Sequence, residues 1–258
     1  MSLIGLLLLG LGVGVLIGLM GVGGGVLLVP ALAYLVGMNQ HLAQGTSLLI
    51  QLPPVGIGAL YFYWKRGQVD GPAGVICAAG FLLGGYGGSL VAVGLPSATL
   101  RGLFGLFLMF AAVMLARQTL DRQQGDGTGP RPQPSRLGLF LVAFGVGVLG
   151  GLFGVGGGIV LVPVLVLLFH FDQHRAQGTS LAALVPPTGL LAFLGYYRAG
   201  HVDWRVGLLL IPGVFLGGIV GSKVAQKISP VWMRRIFAAF LFVLGAWQAL
   251  SLWLSSPR

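Results

Sequence analysis

The sequence contains no glutamate, a single cysteine, and charged residues at only 8% of its positions. Soluble domains usually carry about a quarter charged residues, so a surface solvated by water throughout is excluded. The lone thiol, Cys77, excludes an internal disulfide. Lys and Arg number 15 against 5 acids, for a net charge of +10, yet they form no basic cluster. That distribution argues against nucleic acid and for basic loops on one side of a membrane. With 4 scattered histidines there is no metal-ligand cluster and no nucleophile–base pair, so neither an enzyme nor a cofactor is expected. The N-terminal MSLIGLLLLG lacks the basic region and small-residue cleavage site of a signal peptide.

What the chain does contain is apolar. Its 258 residues are 56% hydrophobic, with mean hydropathy +0.94, and runs long enough to span a bilayer recur from end to end. The runs are continuous rather than alternating, which favours helices over a β-barrel. The 46 glycines fit this picture, because small residues let membrane helices approach closely.

Nearly the whole chain is a duplication. Residues 12–108 align with 145–241 at a constant offset of 133, without a gap. GLMGVGGGVLLVP (18–30) matches GLFGVGGGIVLVP (151–163), and QHLAQGTS (40–47) matches QHRAQGTS (173–180). Pro53-Pro54 matches Pro186-Pro187, RGQVD (66–70) matches AGHVD (199–203), and Arg101 matches Arg234. Residues 119–136, polar and rich in Gly and Pro, have no counterpart and read as a linker between halves 1–118 and 137–258.

The duplicated GVGGG and V-P, followed by A-Q-G-T-S and P-P, resemble the TauE/SafE sulfite exporter family over both halves. The resemblance implies a bacterial inner-membrane transporter for sulfite, sulfoacetate or a related sulfur-containing anion. No residue here singles out one anion.

Each half reads as an apolar run (3–20), a glycine break (21–25), a short run (26–37) and three further runs near 42–64, 71–94 and 97–118. The short run makes about 18 Å of helix, too little to cross alone. The first two runs therefore form a re-entrant hairpin, a pair of crossings with one broken member, or one long interrupted helix. Charge bears on the choice. One crossing over 3–37 makes the halves parallel and divides the 15 basic residues nine to six between the two sides. Two crossings or none make the halves inverted and divide the same 15 eleven to four. Positive charge concentrates on the cytoplasmic side, so the inverted arrangement is expected. The fold expected is an all-α polytopic membrane protein of roughly eight to ten membrane segments. It has two inverted repeats, a cytoplasmic linker and external termini.

Inverted-repeat transporters hold substrate near the midplane, at matching helix breaks in the two halves. The first such pair is Gly23, Gly24 and Gly25 with Gly156, Gly157 and Gly158. Each trio opens a short helix near Val26 or Ile159, whose unpaired N–H groups and partial positive charge suit an anion. Pro30 and Pro163 are expected at the edge of that unpaired first turn. Close helix packing is the competing role for these glycines. The second pair is the Pro53-Pro54 and Pro186-Pro187 kink, which leaves the carbonyls of Leu49 and Ile50, or Ala182 and Ala183, without helical partners. It either fits the bundle or gates it.

The octet supplies Gln44, Gly45, Thr46 and Ser47, with Gln177, Gly178, Thr179 and Ser180 opposite. These are neutral donors for oxyanion oxygens or, alternatively, helix–helix hydrogen bonds. His41 and His174, at the expected interface, are gating candidates that titrate near neutral pH. Arg101 and Arg234 either attract substrate or snorkel to headgroups. Asp70 and Asp203, the only acids shared by the halves, read as helix N-caps. The partners expected are a small anionic substrate and the lipid bilayer, with a homodimer as the assembly to test.

Overall fold

The computed structural model describes residues 3–20, 24–53, 57–121, 135–225 and 230–255. The first half contributes α1 (Leu3–Met20), α2 (Gly25–Tyr34), α3 (Gln40–Gln51), α4 (Ile57–Lys65), α5 (Gly71–Gly94) and α6 (Ser97–Asp121). The second contributes α7 (Arg136–Phe153), α8 (Gly158–Phe169), α9 (Gln173–Leu184), α10 (Leu190–Arg198), α11 (Trp204–Ala225) and α12 (Pro230–Ser255). Adding 133 to the limits of α1, α3 and α4 gives those of α7, α9 and α10. The described residues are helical and contain no strand, as a multi-pass helical membrane protein would be. Gly71–Gly94, Ser97–Ala116, Arg136–Phe153 and Trp204–Val224 are each long and apolar enough to cross a bilayer.

Local chemistry places the helix ends. Asn39 and Asp172 open α3 and α9 by accepting hydrogen bonds from Leu42 N and Arg175 N. Asp70 accepts from Ala73 N at 3.0 Å and Asp203 from Val206 N at 2.9 Å, so both shared acids are N-caps, as their sequence context indicates. The short helices begin at Gly25 and Gly158, one residue earlier than expected. Pro30 and Pro163 consequently sit in the second turn rather than at the edge of the first, and each removes an internal hydrogen bond from its helix. The run 42–64 is two helices, because α3 stops at Gln51, just before Pro53. The freed Leu49 carbonyl accepts from Leu52 N at 3.2 Å, so that group, contrary to expectation, is not left open.

The long helices pair across the repeat: α1 with α11, α5 with α7, and α6 with α12. Glycines make the contacts. A Cβ at Gly213 would lie 2.7 Å from Leu7 O, and one at the equivalent Gly80 would lie 2.6 Å from Phe140 O. Backbone thus touches backbone, which is how membrane helices gain dispersion energy without a hydrophobic driving force. Gly14 against Val214 has its twin in Gly147 against Phe81, and Gly18 against Gly218 in Gly151 against Gly85. These contacts survive exchange of the two halves. The core holds Phe81, Phe104, Phe153 and Leu161 at the centre of the molecule, close to the glycine breaks.

Candidate functional site

The second glycine break is built from two left-handed residues. Gly154 (φ +66°) ends α7, its N–H bonded to Gly150 O, and Gly156 (φ +69°) turns the chain into α8. Side chains at these two φ values would each cost about 1–2 kcal/mol, so glycine is required here. The N–H groups at the start of α8 then point out of its N-terminal end. Gly25 packs directly on the backbone of Val155, so the two breaks meet. Gly157 lies against the Phe81 ring, and Gly158 against Leu184. Gly23 lies outside the described residues.

The octet of the first half closes over this turn. Ser47 Oγ donates to Gly154 O at 3.0 Å. Gln51 Nε2 reaches the same carbonyl at 3.2 Å and also Ser47 O (3.1 Å) and Ser47 Oγ (3.0 Å). A Cβ at Gly156 would lie 2.7 Å from Gln51 Oε1, and one at Gly24 would lie 3.7 Å from Gln51 Cγ, so Gln51 touches both breaks. Gln44 abuts Gly154, whose Cβ would meet its Cα and Cβ at 2.8 Å. Its Oε1 lies 2.9 Å from Tyr196 OH, whose single proton also faces Leu152 O at 3.0 Å and Gly151 O at 3.1 Å. Its Nε2 is completely buried and has no hydrogen-bond partner. A buried donor left in that state costs about 1–3 kcal/mol, which an acceptor brought to it would recover.

The rest of the octet ties the halves together. Asp203 N donates to Thr46 Oγ1 at 3.0 Å, and Asp70 N to Thr179 Oγ1 at 3.0 Å. Tyr63 OH donates to Gln177 Oε1 at 2.8 Å, the twin of the Tyr196–Gln44 bond. Gly45 and Gly178 are buried against the carbonyls of His201 and Gln68, where a side chain has no room. Thr46, Thr179, Gly45 and Gly178 therefore occupy the seams between halves. Ser180 is buried beside them.

The two seams differ in chemistry. At one, His41 is buried; its Nδ1 meets Ser97 Oγ at 2.7 Å, and its Nε2 meets Ala92 O at 2.9 Å. Its ring stacks on His201, centroids 4.9 Å apart. Burial, and then His41 beside it, pulls the His201 imidazole below the ordinary histidine range. At the other seam His174 is exposed, and Arg175 pairs with Asp70 at 2.5 Å while lying 4.5 Å over the Phe171 ring.

Pro53 is half-buried, Pro186 and Pro187 are exposed, and Arg101 is half-buried near the start of α6. Pro54 lies outside the described residues, as does the side chain of Arg234.

Sequence reasoning overlooked Gln51, Tyr63, Tyr196 and His201. The two tyrosines carried a signal, since Tyr63 and Tyr196 are repeat equivalents. Gln51 carried the opposite one, because its equivalent is Leu184. Gln40, wholly buried with neither side-chain atom partnered, was also passed over.

The family model described as "Sulfite exporter TauE/SafE" matches residues 6–247. The chain is 30% identical to "Probable membrane transporter protein YunE" of Bacillus subtilis, over 95% of this chain and 96% of the relative. It is 31% identical to a "Probable membrane transporter protein" of Xylella fastidiosa, over 94% and 93%. A third relative, "Probable membrane transporter protein MJ0441" of Methanocaldococcus jannaschii, is 30% identical over 95% and 94%. No solved structure matches the chain.

Proposed function

The chain belongs to the TauE/SafE sulfite exporter family, and from that premise we propose that it exports a small sulfur-containing anion by alternating access. Sulfite or an organosulfonate such as sulfoacetate is the substrate of this reading. The carrying observation is Gln44 Nε2, a buried donor without an acceptor, beside the Gly154–Gly158 turn. An anion oxygen at that nitrogen would satisfy it, and the adjoining start of α8 would add its partial positive charge. Ser47 and Gln51 hold the turn in place.

Two inverted halves, 1–118 and 137–258, would rock about this centre, with the 119–136 linker cytoplasmic and both termini outside the inner membrane. The contacts support inversion. Gly105 lies against Gln248 and Ala249, whereas Gly245 lies against Leu108 and Met109, so numbering falls along α12 as it rises along α6. These contacts fit one helix pair only if α6 and α12 run antiparallel, as a two-fold axis in the membrane plane requires. Inversion also gives the eleven-to-four charge division. With a negative cytoplasm, outward movement of one negative charge gains about 2.3 kcal/mol per 100 mV, so the potential suffices to drive export.

Sulfite binding to the purified chain in detergent tests the site. Gln44→Glu keeps an acceptor for Tyr196 but replaces the free donor with negative charge, and should weaken binding at least about tenfold. Unchanged affinity in a folded variant would sink the assignment. Counterflow in proteoliposomes under imposed potentials of either sign separates export from uptake, and conductance without saturable exchange would indicate a channel.

A further inference from the structure

We propose that the structure is the cytoplasm-facing state of the carrier, closed to the outside by the packing of α3 on the α5–α6 corner, with His41 as the latch. The two halves share a sequence pattern but not a burial pattern. His41, Gln44 and Leu48 are spaced by three and four residues, so they lie on one face of α3, and they are 7%, 0% and 2% exposed. Their repeat equivalents His174, Gln177 and Leu181 form the matching face of α9. There His174 is exposed, and Gln177 and Leu181 are half-buried. The three residues are identical in type, so the difference is one of conformation. The open face carries a histidine and a glutamine, and such side chains in membrane helices face a bundle interior or a water-filled cavity rather than lipid. It leads inward to Leu184, whose Cδ1 would lie 3.3 Å from a Cβ at Gly158, at the glycine turn.

Specific contacts seal the α3 face. His41 Nε2 meets Ala92 O near the end of α5 at 2.9 Å, and its Nδ1 meets Ser97 Oγ at the start of α6 at 2.7 Å. Leu48 belongs to one apolar cluster with Ala92, Leu100 and Phe193. Exchange of the halves maps Ala92 onto Ala225 and Leu100 onto Met233, so the α11–α12 corner has the residues to close over α9 in turn. The threonine–aspartate amide bonds and the tyrosine–glutamine bonds are made in both halves, so they form the constant frame. Alternating access in an inverted repeat turns on gating of one part against another, and unlike conformations of like residues mark the gate. The outward-facing state therefore frees His41 from Ala92 and Ser97 and brings His174 to the Ala225 carbonyl. The sidedness rests on the inverted topology proposed above, which puts the start of α3 outside and the start of α9 in the cytoplasm.

The experiment places single cysteines at the twin positions, Leu48→Cys and Leu181→Cys, in the full-length protein. A membrane-impermeant cationic thiol reagent reads them in inside-out and right-side-out vesicles, and the parent, whose Cys77 is buried, is the blank. Leu181→Cys should react several-fold faster than Leu48→Cys, and from the cytoplasmic side. Adding His41→Ala should raise the Leu48→Cys rate and lower the Leu181→Cys rate, because loss of the outer contacts shifts the population outward. A general loosening of the fold would raise both. Ser97→Ala removes one of the two bonds and should move both rates the same way by less. Equal rates at the twins overturn the state assignment. Rates that rise together or stay fixed in His41→Ala and Ser97→Ala overturn the latch. Labelling of Leu181→Cys from the outside alone overturns the sidedness. The anion reading fails separately, if the parent binds no sulfite while the labelling pattern holds.

Discussion

The Arg175 guanidinium crosses from one half of the molecule to meet Asp70 Oδ2 of the other at 2.5 Å, while the repeat-equivalent residues, Leu42 and Asp203, hold no such pair. Two seams of common descent are thus closed differently. Both keep the threonine-to-aspartate-amide bond and the tyrosine–glutamine bond. One adds an ion pair, the other a stack of two imidazoles.

The ion pair should be visible as a difference between twins. Asp203→Ala removes a helix cap, at about 1 kcal/mol. Asp70→Ala removes a cap and the pair, so it should cost up to about 1 kcal/mol more, the modest figure appropriate to a partly solvated bridge. Thermal unfolding in detergent measures both, and Arg175→Leu should erase the gap between them. Equal losses for the two alanine variants in the parent background would show the pair contributes nothing.

Thr46→Val and Thr179→Val should each destabilise by about 1–3 kcal/mol, because each strands a turn amide that has lost its acceptor. Since the two bonds have the same length and join repeat-equivalent residues, the two losses should agree. A large loss at one seam alone would mean that the halves do not share the load.

Acidification should weaken the His41–His201 seam. The folded state holds the His201 imidazole below its ordinary value, so the unfolded chain binds the proton more tightly there. The stability contributed is intact above the unfolded pKa and is lost as pH falls from near 6.5 towards the folded value. His201→Gln installs the side chain that Gln68 provides at the other seam, and melting curves should then lose this part of their acid dependence. An unchanged acid slope in that variant would refute the assignment.

Gly14 and Gly12 make a matched pair. A Cβ at Gly14 would lie 2.7 Å from Val214 Cα, whereas one at Gly12 would meet nothing within 4 Å. Gly14→Val should cost about 1–3 kcal/mol or more by prising α1 from α11. Gly12→Val should stay within about 0.5 kcal/mol of the parent in the same melts. Comparable effects at both would contradict the close helix contact.

How much was legible depended on range. Helices α1 and α5 coincide with the apolar runs 3–20 and 71–94, and the caps at Asp70 and Asp203 were readable, because each is set within a few residues. The Gln44, Thr46 and Ser47 cluster was recognisable as chemistry, but one sequence cannot say which of these polar groups faces a seam and which the glycine turn. On one helix Gln44 and Thr46 lie about 200° apart and Thr46 and Ser47 about 100°, so the neighbours decide.

By itself, the sequence determined the duplication, the membrane setting, the helical class and the two glycine breaks, since composition and repeat spacing are properties of the chain alone. Only the tertiary structure decided that His41 stacks on His201. It also assigned Thr46 to Asp203 and left Gln44 Nε2 without an acceptor. Such choices join residues up to 160 positions apart in the chain, as His41 and His201 are. They follow from which surfaces the glycine contacts between α1 and α11, and between α5 and α7, bring face to face.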